Sequence, residues 1–111
     1  MDPILLSLAH ALADETRLCI LSALRDCGEL SCGELVERCS VAQSTVSHHL
    51  KTLTECRLLE VREEGQRNLY SVRRHAAGEL AARVVALLGS RRRPPVDPAH
   101  GLPDLGFGVV D

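Results

Sequence analysis

The stretch from residue 43 to residue 51 carries the side chains best suited to binding chemistry in this chain. It reads Gln-Ser-Thr-Val-Ser-His-His-Leu-Lys, so amide, hydroxyl, imidazole and ammonium groups follow one another closely. Val46, Leu50 and Leu53 recur at the spacing i, i+4, i+7, which predicts one apolar stripe along a helix. The opposite side of that helix would offer short polar groups to an anionic groove, and the major groove of DNA is such a groove.

We therefore predict a recognition helix over residues 43–55. Its small polar groups are expected to approach base edges, whereas Lys51 and the arginines that follow are expected to contact phosphates. The predicted DNA-contacting residues are Gln43, Ser44, Thr45, Ser47, His48, Lys51, Arg62, Gln66 and Arg67. His49 and Tyr70 are expected to pack rather than to touch DNA. The alternative is a helical hairpin used for protein contacts, with this polar face solvated.

A capping box predicts where the helix before the recognition helix begins. Ser31 and Glu34 form the S-x-x-E pattern, and Leu30 and Leu35 have the spacing of a hydrophobic staple. The short helix over residues 32–38 is followed by a four-residue turn into the recognition helix. Two short helices joined in this way indicate a helix-turn-helix.

A hairpin is predicted directly after the recognition helix. Strands over residues 58–63 and 68–72 flank a four-residue connection that contains a glycine. Arg62, Gln66 and Arg67 lie near its tip. We expect this hairpin to act as a wing that reaches toward the DNA backbone.

Three further helices, over residues 4–13, 15–25 and 75–88, complete the predicted domain. The second of them is expected to bury Leu18, Ile20, Leu21 and Leu24. The last has an apolar face too wide to stay exposed, so the first and last helices are predicted to form a homodimer interface. The fold class is thus mainly α with a small β-hairpin, a winged helix-turn-helix in the order α-α-α-α-β-β-α. Residues 1–89 form this domain, and the Pro/Gly-rich residues 90–111 are expected to be a disordered tail.

Composition and charge limit the classes of protein to be considered. Hydrophobic residues make up 45% of the 111 residues and aromatic residues 2%, so the core must be aliphatic. The formal net charge is −2, but residues 43–74 carry six Lys or Arg against four Glu, a mildly basic balance. Without a membrane-spanning apolar run or a secretory signal, the chain is expected to be soluble and cytoplasmic, with no membrane partner. No phosphate loop or nucleophile constellation indicates an enzyme.

Four segments occur in an order that carries a family resemblance. They are Leu-Ala-Asp-Glu-Thr-Arg-Leu at 12–18, Glu-Leu-Ser-Cys-Gly-Glu-Leu at 29–35, Gln-Ser-Thr-Val-Ser-His-His-Leu-Lys at 43–51, and Glu-Gly through Tyr at 64–70. With the helices around them, they resemble the ArsR/SmtB family of winged-helix transcription regulators. The resemblance implies a homodimer, joined through its first and last helices, that binds a pseudo-palindromic operator. It also implies repression by default and release of DNA by a metal ion or a thiol-reactive signal.

The two effector sites common in that family do not carry over to this chain. The family's thiolate site reads Glu-Leu-Cys-Val-Cys-Asp-Leu, whereas Ser31 and Gly33 stand here at its two cysteine positions. The family's site on the last helix uses Asp-x-His and His-x-x-Glu, of which only His75 and Glu79 are present. The resemblance therefore implies DNA binding and leaves the effector open.

A metal-responsive regulator is the leading hypothesis for the effector. Two copies of His75 and Glu79 across a dimer axis could supply imidazole and carboxylate ligands for Zn²⁺ or Ni²⁺, and His10 could join them. The simpler interpretation is an exposed histidine at the start of a helix.

A thiol or redox signal is the alternative effector. The five cysteines include no C-x-x-C pair, and an odd count without a secretory signal argues against a disulfide framework. Cys32, Cys39 and Cys56 are expected to pack as small hydrophobes, and Cys27 to be the most exposed thiol. A further alternative is an adaptor that binds a partner protein and keeps the fold without binding an operator.

Overall fold

A computed structural model describes residues 1–89 and shows five helices and three short strands in that part of the chain. They are α1 (Pro3–Leu12), α2 (Glu15–Cys27), β1 (Leu30–Ser31), α3 (Cys32–Cys39), α4 (Gln43–Glu55), β2 (Leu59–Glu64), β3 (Arg67–Val72) and α5 (Ala76–Leu88). Every predicted helix and both hairpin strands are present, with ends that shift by up to two residues. The predicted tail over residues 90–111 lies outside the described residues.

Side-chain caps explain where α2 and α3 begin. Asp14 accepts a hydrogen bond at 3.0 Å from the backbone N–H of Arg17. The predicted capping box is formed, because the Glu34 N–H donates to Ser31 Oγ at 3.2 Å and the Ser31 N–H donates to Glu34 Oε1 at 2.8 Å. At its other end α2 stops at Gly28, whose φ of +86° is readily adopted by glycine. The caps fix the ends of α2 and α3, and these two helices support α4.

The sheet has one strand more than the sequence predicts. β2 and β3 form the expected antiparallel hairpin, with Val61 opposite Tyr70 and Glu64 opposite Arg67. β1 lies on the other edge of β3, where Leu30 pairs with Tyr70, and the strand order is β1-β3-β2. The predicted winged helix-turn-helix with its β-hairpin is confirmed, and β1 is an additional strand. The sequence does not indicate β1 because two residues are too few to show the alternation that identifies a strand. β1 joins the wing to the residues that begin α3.

An aliphatic core lies between the helices, as the composition predicts. Its most deeply buried large side chains are Ile20, Leu24, Leu35, Val46, Leu50 and Leu53. The prediction for α2 is wrong at one position, because Leu18 is 47% exposed while Arg17 beside it is only 8% exposed. Leu18 lies about 200° around the helix from Ile20, whereas Leu24 lies close to Ile20 on the same face.

α1 and α5 contact each other and leave apolar side chains exposed. Arg83 on α5 donates to Asp2 at 2.6 Å, which ties the start of α1 to α5. The apolar α1/α5 surface consists of the exposed side chains Ile4, Leu6, Val84, Val85, Leu87 and Leu88. An exposed apolar surface of this kind is a candidate site of interaction. None of the helices within residues 1–89 has the length and apolar character needed to cross a membrane.

Candidate nucleic-acid interface

α4 buries one face and leaves the other open, as its sequence predicts. Val46, Leu50 and Leu53 are 0–1% exposed and pack into the core. The predicted contact residues on the opposite face are all exposed: Gln43, Ser44, Thr45, Ser47, His48 and Lys51. The exposed face therefore combines short hydrogen-bonding groups with one ammonium group.

The turn between α3 and α4 sets the angle at which this face is presented. α3 ends where Ser40 adopts a left-handed conformation with φ of +55°, and the Ser40 N–H donates to the Val36 carbonyl at 2.9 Å. Val41 follows and packs against the core, so the chain enters α4 from a fixed point. Ala42 occupies the N-cap position of α4 and offers no side-chain acceptor.

A polar groove lies between the start of α3, the exposed face of α4 and the wing. Its lining includes Gln43 and Ser47 from α4 together with Gln66 and Arg67 from the tip of the wing. Tyr70 also lines the groove, and it is half-buried and packed against the core, as predicted. The fold thus brings four of the predicted contact residues together along one concave surface.

Arg62 lies in a different environment from the other predicted contact residues. Its Nε donates to Glu29 Oε2 at 2.9 Å and its Nη2 donates to Glu29 Oε1 at 2.8 Å. The guanidinium hydrogen bonds hold the pKa of the Glu29 carboxyl below its ordinary value. A third carboxylate oxygen, on Glu64, lies 3.7 Å from Arg62 Nη1. The charge of Arg62 is therefore already compensated by the carboxylates of Glu29 and Glu64.

The wing as a whole has no excess of positive charge. Residues 59–72 carry two arginines and three glutamates. Arg67 is 57% exposed, and its Nη2 lies 3.7 Å from Glu64 Oε1. Arg67 therefore has one carboxylate group nearby where Arg62 has two, and with Lys51 it is the better candidate for phosphate contact.

His49 turns away from the open face of α4, as predicted, and contacts a residue that sequence analysis missed. Its Nδ1 lies 3.0 Å from Nη1 of Arg17, which is buried at the start of α2. The sequence does not indicate that Arg17 is buried, because an arginine beside apolar helix residues is usually found at the solvent-exposed edge of the helix. The available signal was its position three residues after the capping residue Asp14, within the segment that carries the family resemblance.

The candidate metal ligands are not brought together within one protomer. Glu79 accepts hydrogen bonds from Arg73 at 2.5 and 3.2 Å, and these bonds hold the pKa of Glu79 below its ordinary value. His10 is exposed on α1, and His75 is exposed at the N-cap position before α5. Among residues 1–89, no three or more His, Cys, Asp and Glu side chains are grouped so that they could hold a metal ion.

All five cysteines are free thiols, and their burial follows the prediction. Cys27 is exposed, whereas Cys32, Cys39 and Cys56 are partly buried against the core. Burial is the main cause that raises the pKa of Cys39 to about 12, and the hydrogen bond with the neighbouring Cys19 thiol is the second. Burial also raises the pKa of Cys32. These two thiols are therefore poor sources of thiolate at neutral pH.

A helix-turn-helix with one open polar face, flanked by a hairpin wing, is the arrangement that places a recognition helix in the major groove. The chain is thus a winged helix-turn-helix DNA-binding protein. The family model for bacterial regulatory proteins of the arsR family matches residues 14–61. The chain belongs to this ArsR family, and it is a DNA-binding transcriptional regulator rather than an enzyme.

Individual proteins similar to this chain agree with that assignment. The HTH-type transcriptional regulator YceK of Bacillus subtilis is 41% identical over 73 residues, which are 65% of this chain and 73% of that protein. An arsenical resistance operon repressor of Staphylococcus xylosus is 37% identical over 66 residues, or 60% of this chain and 62% of the repressor. A homodimeric winged helix-turn-helix DNA-binding domain from Mycobacterium bovis has a TM-score of 0.62 and 30% identity, covering 78% of this chain and 75% of that one.

Proposed function

We propose that this protein is a cytoplasmic homodimer that represses transcription by binding an inverted-repeat operator. The observation that carries the proposal is the open polar face of α4 beside the groove formed with the wing. In each protomer that face would enter the major groove, and the wing would follow the adjoining backbone.

The apolar α1/α5 surface supports the dimer. Leu87 and Leu88 are 59% and 76% exposed on α5, and a second protomer packed there would bury them. The similar domain from Mycobacterium bovis is homodimeric. A two-fold dimer would place its two α4 helices about 34 Å apart, one turn of DNA, and the two-fold symmetry would require the half-sites to form an inverted repeat.

The exposed side chains of α4 support recognition of sequence. Ser44, Thr45, Ser47 and His48 would approach base edges, where a hydroxyl can donate or accept and therefore suits several base pairs. Gln43 and Gln66 line the same groove and would assist at its ends. Lys51 and Arg67 would contact phosphates, whereas Arg62 would contribute less because Glu29 already neutralises it.

Repression is supported by the arsenical resistance operon repressor among the similar proteins. A dimer bound across an operator that overlaps a promoter would exclude RNA polymerase. His75 and Glu79 would meet their second copies only across the dimer axis, so the lack of a metal-binding group within residues 1–89 of one protomer leaves the effector open.

The proposal is tested with DNA duplexes selected by the reduced, full-length protein from a randomised pool. We expect an inverted repeat to be recovered and to bind at least tenfold more tightly than one half-site, since the dimer makes both contacts at once. Ser47→Ala with His48→Ala should weaken binding by about 1–3 kcal/mol per lost base contact, whereas the exposed Ser22→Ala on α2 should have no effect. Equal binding of the half-site and the full repeat would refute dimeric recognition.

A further inference from the structure

Arg17 is a buried cation whose side chain joins three helices. Its Nε donates to the Ala11 carbonyl at 2.6 Å, and its Nη2 donates to the His10 carbonyl at 3.1 Å. Both carbonyls belong to the last turn of α1, where the His10 carbonyl also accepts from the N–H of the capping residue Ala13 at 3.1 Å. Nη1 lies 3.0 Å from His49 Nδ1 on α4. One side chain of α2 therefore holds the end of α1 and the back of α4 at the same time.

The chemistry of the groups assigns the proton on His49. A guanidinium can only donate, so His49 Nδ1 must accept and the ring proton must lie on Nε2. Nε2 is 3.6 Å from Asp14 Oδ2. Asp14 also accepts from the Arg17 N–H at 3.0 Å, and this hydrogen bond, together with the nearby charge of Arg17, keeps the pKa of its carboxyl below the ordinary value. Asp14, Arg17 and His49 thus form a closed set of polar contacts behind α4.

Apolar contacts alone would define the orientation of α4 less strictly than the hydrogen bonds of Arg17 do. They are non-directional, whereas the planar guanidinium fixes the positions of three acceptors. Desolvating an arginine is costly, and an apolar residue of similar volume would pack in the same place. A role in orienting α4 therefore explains the buried charge of Arg17 better than a contribution to stability alone.

We infer that Arg17 and His49 are positioning residues that fix the orientation of α4 relative to α1. The inference rests on the proposed function, in which α1 forms part of the dimer interface and α4 enters the groove. In that dimer, the angle between α1 and α4 sets the distance between the two recognition helices. Loss of the Arg17–His49 hydrogen bond would therefore change which half-site spacing the protein accepts, in addition to its affinity.

The experiment measures dissociation constants on the selected operator and on operators with one base pair inserted or removed between the half-sites. One base pair moves the half-sites apart by about 3.4 Å and rotates them by about 35°. Wild-type protein should discriminate strongly against both altered spacings. His49→Leu should reduce that discrimination by about tenfold, because the tie to α1 is lost.

Matched variants separate positioning from base contact and from stability. His49→Asn keeps an acceptor near the position of the ring Nδ1, and it should retain the wild-type discrimination. His48→Ala, on the open face, should weaken binding equally at every spacing. Arg17→Lys keeps the charge but cannot reach three acceptors, so it should behave like His49→Leu and carries the test if His49→Leu does not fold.

The two hypotheses fail in different ways in this experiment. If the variants His49→Leu and Arg17→Lys discriminate between spacings as well as wild type does, or if His49→Asn loses the discrimination, the positioning role is wrong. If wild-type protein itself shows no preference for one spacing over a half-site, the proposed dimeric function is wrong.

Discussion

Arg62 of β2 and Glu29, the residue before β1, form a two-point ion pair with N–O distances of 2.8 and 2.9 Å. Because β3 lies between β1 and β2, this pair links the two outer strands across the central one. Arg62, which the sequence predicts to contact DNA, thus forms an ion pair that links the strands of the sheet.

Replacing Arg62 separates these two roles. We expect Arg62→Ala to lower the free energy of unfolding only slightly, since the pair is exposed and screened by solvent. The salt dependence of operator binding should stay unchanged, whereas Arg67→Ala should reduce its slope by about 1. Fluorescence anisotropy at several salt concentrations measures both slopes. A reduced slope for Arg62→Ala would restore its assignment as a phosphate contact.

Lys51 is the exposed cation of α4 and is expected to contact phosphate. Lys51→Ala should weaken binding to all duplexes by a similar factor and reduce the salt slope by about 1. Arg25→Ala, an exposed cation at the end of α2, serves as the control and should change neither quantity. A change of preferred bases in Lys51→Ala would instead assign this side chain to a base edge.

Leu87 tests the apolar α1/α5 surface. Leu87→Glu places a charge on the proposed dimer interface, which should convert the protein to monomers and abolish the preference for a full inverted repeat. Leu18→Glu alters a similarly exposed leucine on α2, 47% exposed against 59% for Leu87, and should remain dimeric. Light scattering coupled to size-exclusion chromatography gives the masses. Dimers of Leu87→Glu would exclude this surface as the interface.

The cysteines should react with iodoacetamide in an order set by their surroundings. Cys27 is exposed and should be alkylated first, whereas Cys39, whose pKa is raised to about 12, should react only when the protein unfolds. Mass spectrometry of peptides at increasing times measures the order, with denatured protein as the control in which all five react. Rapid labelling of Cys39 in the folded protein would support a thiol-responsive regulator.

Protonation of the Glu34 carboxylate is expected to destabilise the domain in acid. Hydrogen bonds with Ser31 lower the pKa of Glu34 from its ordinary value of 4.5, so its contribution is present above pH 4.5 and is lost as the pH falls through the folded-state pKa. The melting temperature should therefore fall in that range. Glu34→Gln keeps an acceptor for the capping box and should show a flatter profile. An unchanged profile would mean that other carboxyls dominate, Asp14 among them.

Local patterns predicted α4 and its buried and exposed faces well, because the determinants of this helix are close together in sequence. The stripe formed by Val46, Leu50 and Leu53 placed the helix and its buried face correctly, and the capping box at Ser31 placed the start of α3. The DNA-contact roles of individual side chains remain predictions.

Contacts between distant residues could not be predicted in the same way. β1 is defined only by its pairing with β3, about forty residues later in the chain, and Arg62 is compensated by a carboxylate that precedes α3. Arg17 is buried because three acceptors from α1 and α4 converge on it, and no periodicity in α2 indicates that. Such long-range contacts depend on the tertiary structure, and local sequence patterns do not predict them.

The exposed leucines at the end of α5 bear on how the proposed dimer would respond to its own abundance. Two monomers must associate before both halves of an operator can be held, so occupancy at low concentration grows with the square of the monomer concentration. Halving the cellular amount would then reduce the occupied fraction by about a factor of four. The controlled promoter would consequently respond more steeply to the amount of this protein than to the amount of a repressor that binds as a single protomer.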